Sequence, residues 1–84
     1  MPYNVELTRK ALKDMGKVPT AFEQNIWEHI NALALEPRPY GYKELKGEDA
    51  FRVRVGNYRI IYEIFDDTLL VLVIRVKHRK DVYD

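Results

Sequence analysis

The chain has no cysteine and only two histidines in 84 residues. The first lack excludes a disulfide framework, a thiolate zinc finger and a cysteine nucleophile, so stability must come from a packed core. The second leaves no metal site, because His29 and His78 lie 49 positions apart and no cofactor motif accompanies them. Neither a Gly-rich phosphate loop nor a G-x-S-x-G turn occurs, and Glu6, Glu44, Glu48 and Asp49 form no carboxylate pair. No apolar run is long enough to span a membrane. Met1-Pro2-Tyr3-Asn4 has no basic segment leading into an apolar one, so a cytoplasmic location is expected. Repeats and low-complexity segments are missing too.

What is present suits one globular domain over residues 1–84: 46% hydrophobic and 32% charged residues, a mean hydropathy of −0.41, six Tyr, three Phe and one Trp. The formal net charge of +1 conceals an uneven distribution. Residues 51–80 carry seven bases (Arg52, Arg54, Arg59, Arg75, Lys77, Arg79, Lys80) against three acids (Glu63, Asp66, Asp67). Five of the seven are Arg, whereas the rest of the chain has two Arg and five Lys. Arginine presents a planar fork to phosphate oxygens, while lysine is a hydrated point charge, so the bias is chemical.

Tyr3, Val5 and Leu7 alternate with polar residues and predict a short first strand. Thr8 can cap a short helix to Met15, stopped by Gly16. A longer helix opens at Pro19-Thr20-Ala21-Phe22-Glu23, with Thr20 and Glu23 as a capping box and an apolar stripe of Phe22, Ile26, Ile30 and Leu33. Glu36-Pro37-Arg38-Pro39-Tyr40-Gly41 ends the helical region, and the stretch to Asp49 reads as irregular. The period then changes to two. Gly56-Asn57 is a two-residue hairpin signal that pairs Val55 with Tyr58, Arg54 with Arg59, Val53 with Ile60 and Arg52 with Ile61. One face therefore holds Phe51, Val53, Val55, Tyr58, Ile60, Tyr62 and Ile64, suited to the helices; Arg52, Arg54 and Arg59 emerge on the other. For the last strand, Leu69 to about Lys77, a three-residue turn at Asp66-Asp67-Thr68 sends Leu70, Leu72, Ile74 and Val76 towards the helices and sets Arg75 opposite Arg59; a two-residue turn would push Arg75 towards the core. The fold class is α+β: a helical hairpin on one face of a mostly antiparallel sheet of about four strands.

Like charges directly opposite on neighbouring strands destabilise a sheet, so Arg54, Arg59 and Arg75 in line, with Arg52 one step along, call for an anion. Ile61, Val71 and Val73 on the same face would form an apolar patch that a nucleic acid or an amphipathic partner helix could cover. Arg75, Lys77, His78 and Lys80 are the expected nucleic-acid-binding flank, an RNA-binding one on the resemblance described next. His29 reads as an ordinary surface residue of the long helix, and strand parity points His78 away from the arginines.

On Leu45-Lys46-Gly47, the run Phe51-Arg52-Val53-Arg54-Val55-Gly56-Asn57-Tyr58-Arg59-Ile60-Ile61-Tyr62-Glu63, and the ending His78-Arg79-Lys80-Asp81-Val82-Tyr83, the chain resembles the RelE toxins of the RelE/ParE toxin superfamily. The middle block is shared across that superfamily, and the ending is the more specific part. The resemblance implies a type II toxin, held inactive by a cognate antitoxin protein, that enters the ribosomal A site and cuts mRNA. It implies a catalytic set of Arg52 and Arg54 on the substrate backbone, Arg59 on the transition-state phosphate, Arg79 near the leaving oxygen and Tyr83 on a base or in proton transfer. The reaction it implies is attack of an RNA 2′-hydroxyl on its own adjacent phosphate, through a charge-rich phosphorane that arginines would stabilise without a metal or an enzyme nucleophile. Some relatives have Lys where this chain has Arg52 and Arg54. The other readings are a ParE-like inhibitor of DNA gyrase and a non-catalytic RNA-binding domain.

Overall fold

The computed structural model describes residues 2–81. Strand β1 (Asn4–Leu7) leads into helix α1 (Arg9–Gly16) and helix α2 (Thr20–Ala32). Strands β2 (Lys43–Glu44), β3 (Phe51–Val55), β4 (Tyr58–Phe65) and β5 (Leu70–His78) follow, and a 3-10 turn over Arg79–Asp81 comes last. The sheet has five strands in the order β1-β5-β4-β3-β2, with β1 parallel to β5 and every other pair antiparallel. The expected α+β class holds, with one strand more than expected: β2 forms inside the stretch read as irregular, because Lys43 and Glu44 pair with Arg52 and Phe51.

Local chemistry accounts for the boundaries. Thr8 caps α1, its Oγ1 accepting from the Ala11 N–H at 3.1 Å. The capping box expected for α2 does not form. Pro19 is the N-cap, its carbonyl accepting from Phe22 N–H at 2.9 Å, so Thr20 is already inside the helix and no side chain caps it. Gly56 has φ +59° while Asn57 stays out of the left-handed region, the pattern of a type II′ turn with glycine first. That turn sets the β3–β4 register as expected, including Arg54 opposite Arg59.

Both helices cover one face of the sheet. Ala11, Met15, Val18, Ile26, Ile30 and Leu33 meet Val53, Val55, Ile60, Tyr62, Val71, Val73 and Val76 there, all buried. Phe22, expected in the helical apolar stripe, is instead 53% exposed. Tyr62 is the largest side chain in this core, and its hydroxyl donates to the Pro37 carbonyl at 2.7 Å, so the phenol is buried with a partner.

Strand β5 departs from the expected facing twice. The turn after β4 has four residues, 66–69, rather than three: Phe65 pairs with Leu70, and Leu69 takes φ +53° to close the loop. A bulge then sits between Ile61 and Tyr62 on β4, since Tyr62 pairs with Val73 but Ile61 with Arg75, leaving Ile74 as the extra residue. In consequence Val71 and Val73 are buried in the core, and Leu70, Leu72 and Ile74 lie half-buried. The expected apolar patch of Ile61, Val71 and Val73 is not a surface feature. Beyond the bulge the alternation reverses, and Val76 points inward as expected.

Candidate active site

The β3–β4 hairpin and the end of β5 build the basic face. Directly opposed partners share a side of a sheet. The register therefore sets Arg54, Arg59 and Lys77 in one row across three strands, and Lys43, Arg52, Ile61 and Arg75 in the next. The residue facing Arg59 from β5 is thus Lys77 and not Arg75, because the longer turn and the bulge together slide the far half of the strand by two positions. Lys43 was missed from the sequence, since nothing marked it as part of a strand.

Arg79 joins the cluster through the backbone. Its N–H donates to the Asn57 carbonyl at 2.7 Å, which holds the start of the 3-10 turn against the hairpin tip. Arg54, Arg59 and Arg79 then line one concavity of about 250 Å³ together with Gly56, Asn57 and Tyr58. Arg59 is half-buried, whereas Arg54 and Arg79 are exposed. Three arginines lining a pit of this size carry chemistry suited to a multiply charged anion, since the planar fork of a guanidinium matches phosphate oxygens. Among the acids of the 51–80 segment, Asp66 at the far end of β4 is held by Arg38 through bonds of 3.3 and 2.9 Å and by the Tyr3 hydroxyl.

Arg75 is diverted from this cluster. Its Nε and Nη2 donate to Asp14 of α1 at 2.8 and 3.1 Å, and the Val76 N–H donates to the same carboxylate at 2.9 Å. Burial on its own raises the Asp14 carboxyl, but the bonds from Arg75 and Val76, with the charges of Arg75 and Lys17, outweigh it and hold the group below its ordinary value of 3.8.

His78 pairs with Tyr58 on the helix side of the sheet, its ring edge-on to the phenol at 5.0 Å between centroids. It faces away from the arginines, as strand parity indicates. The Lys80 N–H donates to His78 Nδ1 at 3.2 Å, so the neutral ring carries its proton on Nε2. Lys80 lies with His78 along that other side. His29 is exposed and its Nδ1–H donates to the Asn25 carbonyl at 2.8 Å, an ordinary contact along a helix. Tyr83 lies outside the described residues. Among the described residues, no group of His, Cys, Asp and Glu is placed to hold a metal ion, and no helix is long and apolar enough to cross a membrane.

Residues 5–83 match the sequence model of the ParE toxin of type II toxin–antitoxin system, parDE. Among individual proteins, the chain is similar to toxin RelG of Mycobacterium tuberculosis, 38% identical over 99% of this chain and 98% of the relative. It is more distantly similar to the mRNA interferase toxin RelE of Escherichia coli, at 24% over 99% of this chain and 92% of the relative. Its fold superposes on the crystal structure of the toxin–antitoxin complex RelBE2 from Mycobacterium tuberculosis with a TM-score of 0.85 and 34% identity, covering 94% of this chain and 93% of that one. With a match running through the strands, helices and basic face described above, this chain belongs to the ParE toxin family of type II toxin–antitoxin systems, as a RelE-type toxin.

Proposed function

We propose that this toxin is an endoribonuclease that cuts mRNA in the ribosomal A site without a metal ion, acts in the cytoplasm and is held inactive by a cognate antitoxin; the domain spans residues 1–84. The observation that carries the reading is the convergence of Arg54, Arg59 and Arg79 on one concavity beside Lys77. The relative named an mRNA interferase and the relative seen as a toxin–antitoxin complex support it at the level of the family.

The substrate supplies its own nucleophile. Attack by the 2′-hydroxyl on the adjacent phosphate builds a phosphorane and ends in a cyclic phosphate. Arg59, half-buried and central in its row, sits where the phosphorane oxygens gather charge; Arg54 and Arg52 hold the backbone; and Arg79 faces the leaving oxygen. Removing one such donor typically costs about 2–4 kcal/mol of barrier. A guanidinium with a pKa above about 12 is a poor proton acceptor at neutral pH, and His78 faces the other way, so proton transfer falls to Tyr83 or to solvent.

The ParE description of the matched family favours a second reading, inhibition of DNA gyrase. Inducing the protein in cells while following mRNA ends and plasmid supercoiling separates the two. The endoribonuclease reading requires new mRNA ends with supercoiling unchanged, and cleavage on programmed ribosomes that Arg59→Ala abolishes. Full cleavage by folded Arg59→Ala, or loss of supercoiling with intact mRNA, would overturn it.

A further inference from the structure

A second concavity lies around the hairpin tip from the arginine cleft and shares Gly56, Asn57 and Tyr58 with it. It encloses about 160 Å³, and Phe22, Ile26, Val55, Tyr58 and His78 give it an apolar, aromatic lining. Tyr58 lies between two rings: Phe22 is tilted against it at 6.2 Å, and His78 meets it edge-on at 5.0 Å. Phe22 is left 53% exposed, although it projects from the apolar side of α2. Asn25 and Asn57 also line this space, and their amides are the side-chain chemistry that reads the edge of a base. The groove widens towards β5, where Lys17, Lys77 and Lys80 border it and Asp14, the one acid among the described lining residues, is occupied by Arg75.

We propose that this groove is a nucleobase subsite: it takes the base adjoining the cleaved nucleotide while the phosphate between them sits in the arginine cleft. The inference rests on the endoribonuclease reading and extends it to a part of the surface that the cleft does not include. Each feature is accounted for by such an occupant. A planar base stacks on Phe22 or Tyr58, the two amides meet its edge, and the lysine border follows the onward phosphates. The shared wall of Gly56, Asn57 and Tyr58 lets one strand lie in both sites. An apolar helix of a partner protein would meet a basic rim and two asparagines in the lining, for which it has no use.

Crosslinking tests this directly. Ribosomes are programmed with an mRNA carrying 2′-deoxy substitution at the reacting nucleotide, so that it cannot be cut, and a photoreactive thionucleotide on either side in turn. One of the two positions should crosslink to Phe22, Tyr58 or His78. Phe22→Ala, at an exposed position and so compatible with folding, should lower cleavage of normal mRNA about tenfold or more. It should add nothing when the flanking nucleotide is abasic. Crosslinks confined to Arg54, Arg59 and Arg79 would leave the arginine site standing and overturn the subsite, and so would a Phe22→Ala protein that cuts both mRNAs at the wild-type rate. Crosslinks to no part of the chain would overturn the RNA reading itself. Loss of antitoxin binding by Phe22→Ala, with cleavage untouched, would assign the groove to the protein partner instead.

Discussion

The carboxylate of Asp14 is shared between the Arg75 guanidinium and the Val76 backbone N–H, and so ties α1 to the part of β5 that lies beyond the bulge. The Asp14 side chain is only 12% exposed, and Arg75 is at 33%. Asp14→Ala should therefore cost about 1–3 kcal/mol, since it leaves a backbone donor and a guanidinium without their acceptor. The pH dependence has a fixed sign. A carboxyl held below its ordinary 3.8 contributes stability that is complete above that value and is lost as pH falls through the folded-state pKa. Denaturant unfolding of wild type and Asp14→Ala from pH 6 down to about 2 should show the gap between them closing below about pH 4. A gap that persists at the lowest pH would show that the pair is not its source.

Arg75 and Arg59 should part company in assays. Arg75→Ala lowers the melting temperature with little change in cleavage once folded, because its guanidinium is committed to α1. Arg59→Ala keeps stability and loses about 2–4 kcal/mol of transition-state stabilisation. Single-turnover cleavage on programmed ribosomes, with thermal unfolding alongside, checks both. The reverse pattern would place the phosphate beside Arg75.

Tyr62 gives an alkaline signature. Burial above all, then the neighbouring Tyr42, pushes its phenol up to about 12 from the ordinary 10.0. A raised pKa in the folded state means that the stability from the neutral phenol is complete below pH 10 and is lost between there and about 12. Tyr62→Phe should cost about 1 kcal/mol at neutral pH through the lost bond to Pro37, and it should remove this alkaline component. Unfolding curves from pH 8 to 11 for both proteins decide the matter. Identical pH slopes would refute it.

Tyr83 separates ring from hydroxyl. Stacking on a base is worth about 1–3 kcal/mol, whereas a hydroxyl offers a route for proton transfer. Tyr83→Ala should be severely impaired in single-turnover cleavage, with Tyr83→Phe intermediate. Equal inactivity of the two would make the hydroxyl the essential part, and wild-type rates for both would remove Tyr83 from the site.

The antitoxin should cover the basic face with an acidic amphipathic segment. Hydrogen exchange of the complex should protect β3, β4 and the end of β5 around Arg54 and Arg59. Protection confined to the exposed side of the two helices would rule out direct masking.

The hairpin was legible because a two-residue loop leaves a single register, and Gly56 followed by Asn57 announces it. The sequence pattern alone thus places Arg52, Arg54 and Arg59 together on one face. Strand β5 was not legible in the same way. Nothing in Leu69 announces a positive φ, and nothing in Ile74 announces a bulge, for both conformations are imposed by the surrounding sheet. Each departure shifts the strand by one residue, so the facing is wrong for Val71 and Val73 and right again at Val76. The partner of Arg59 moves from Arg75 to Lys77. Arg75 then pairs with Asp14, which no local pattern reveals because that carboxylate comes from a helix 61 positions away.

The bulge makes β5 one residue longer than its ladder to β4 requires. The surplus carbonyl, that of Ile74, accepts from the Thr8 hydroxyl at 2.8 Å, while Val73 and Arg75 on either side keep their partners. Removing Ile74 would thus keep Val73 opposite Tyr62 and Arg75 opposite Ile61, and would take away the Thr8 anchor at the start of α1 together with a half-buried side chain. The core half and the basic half of the strand are in this sense separately adjustable, so hydrophobic replacements before residue 74 can drift without rotating Lys77 away from Arg59.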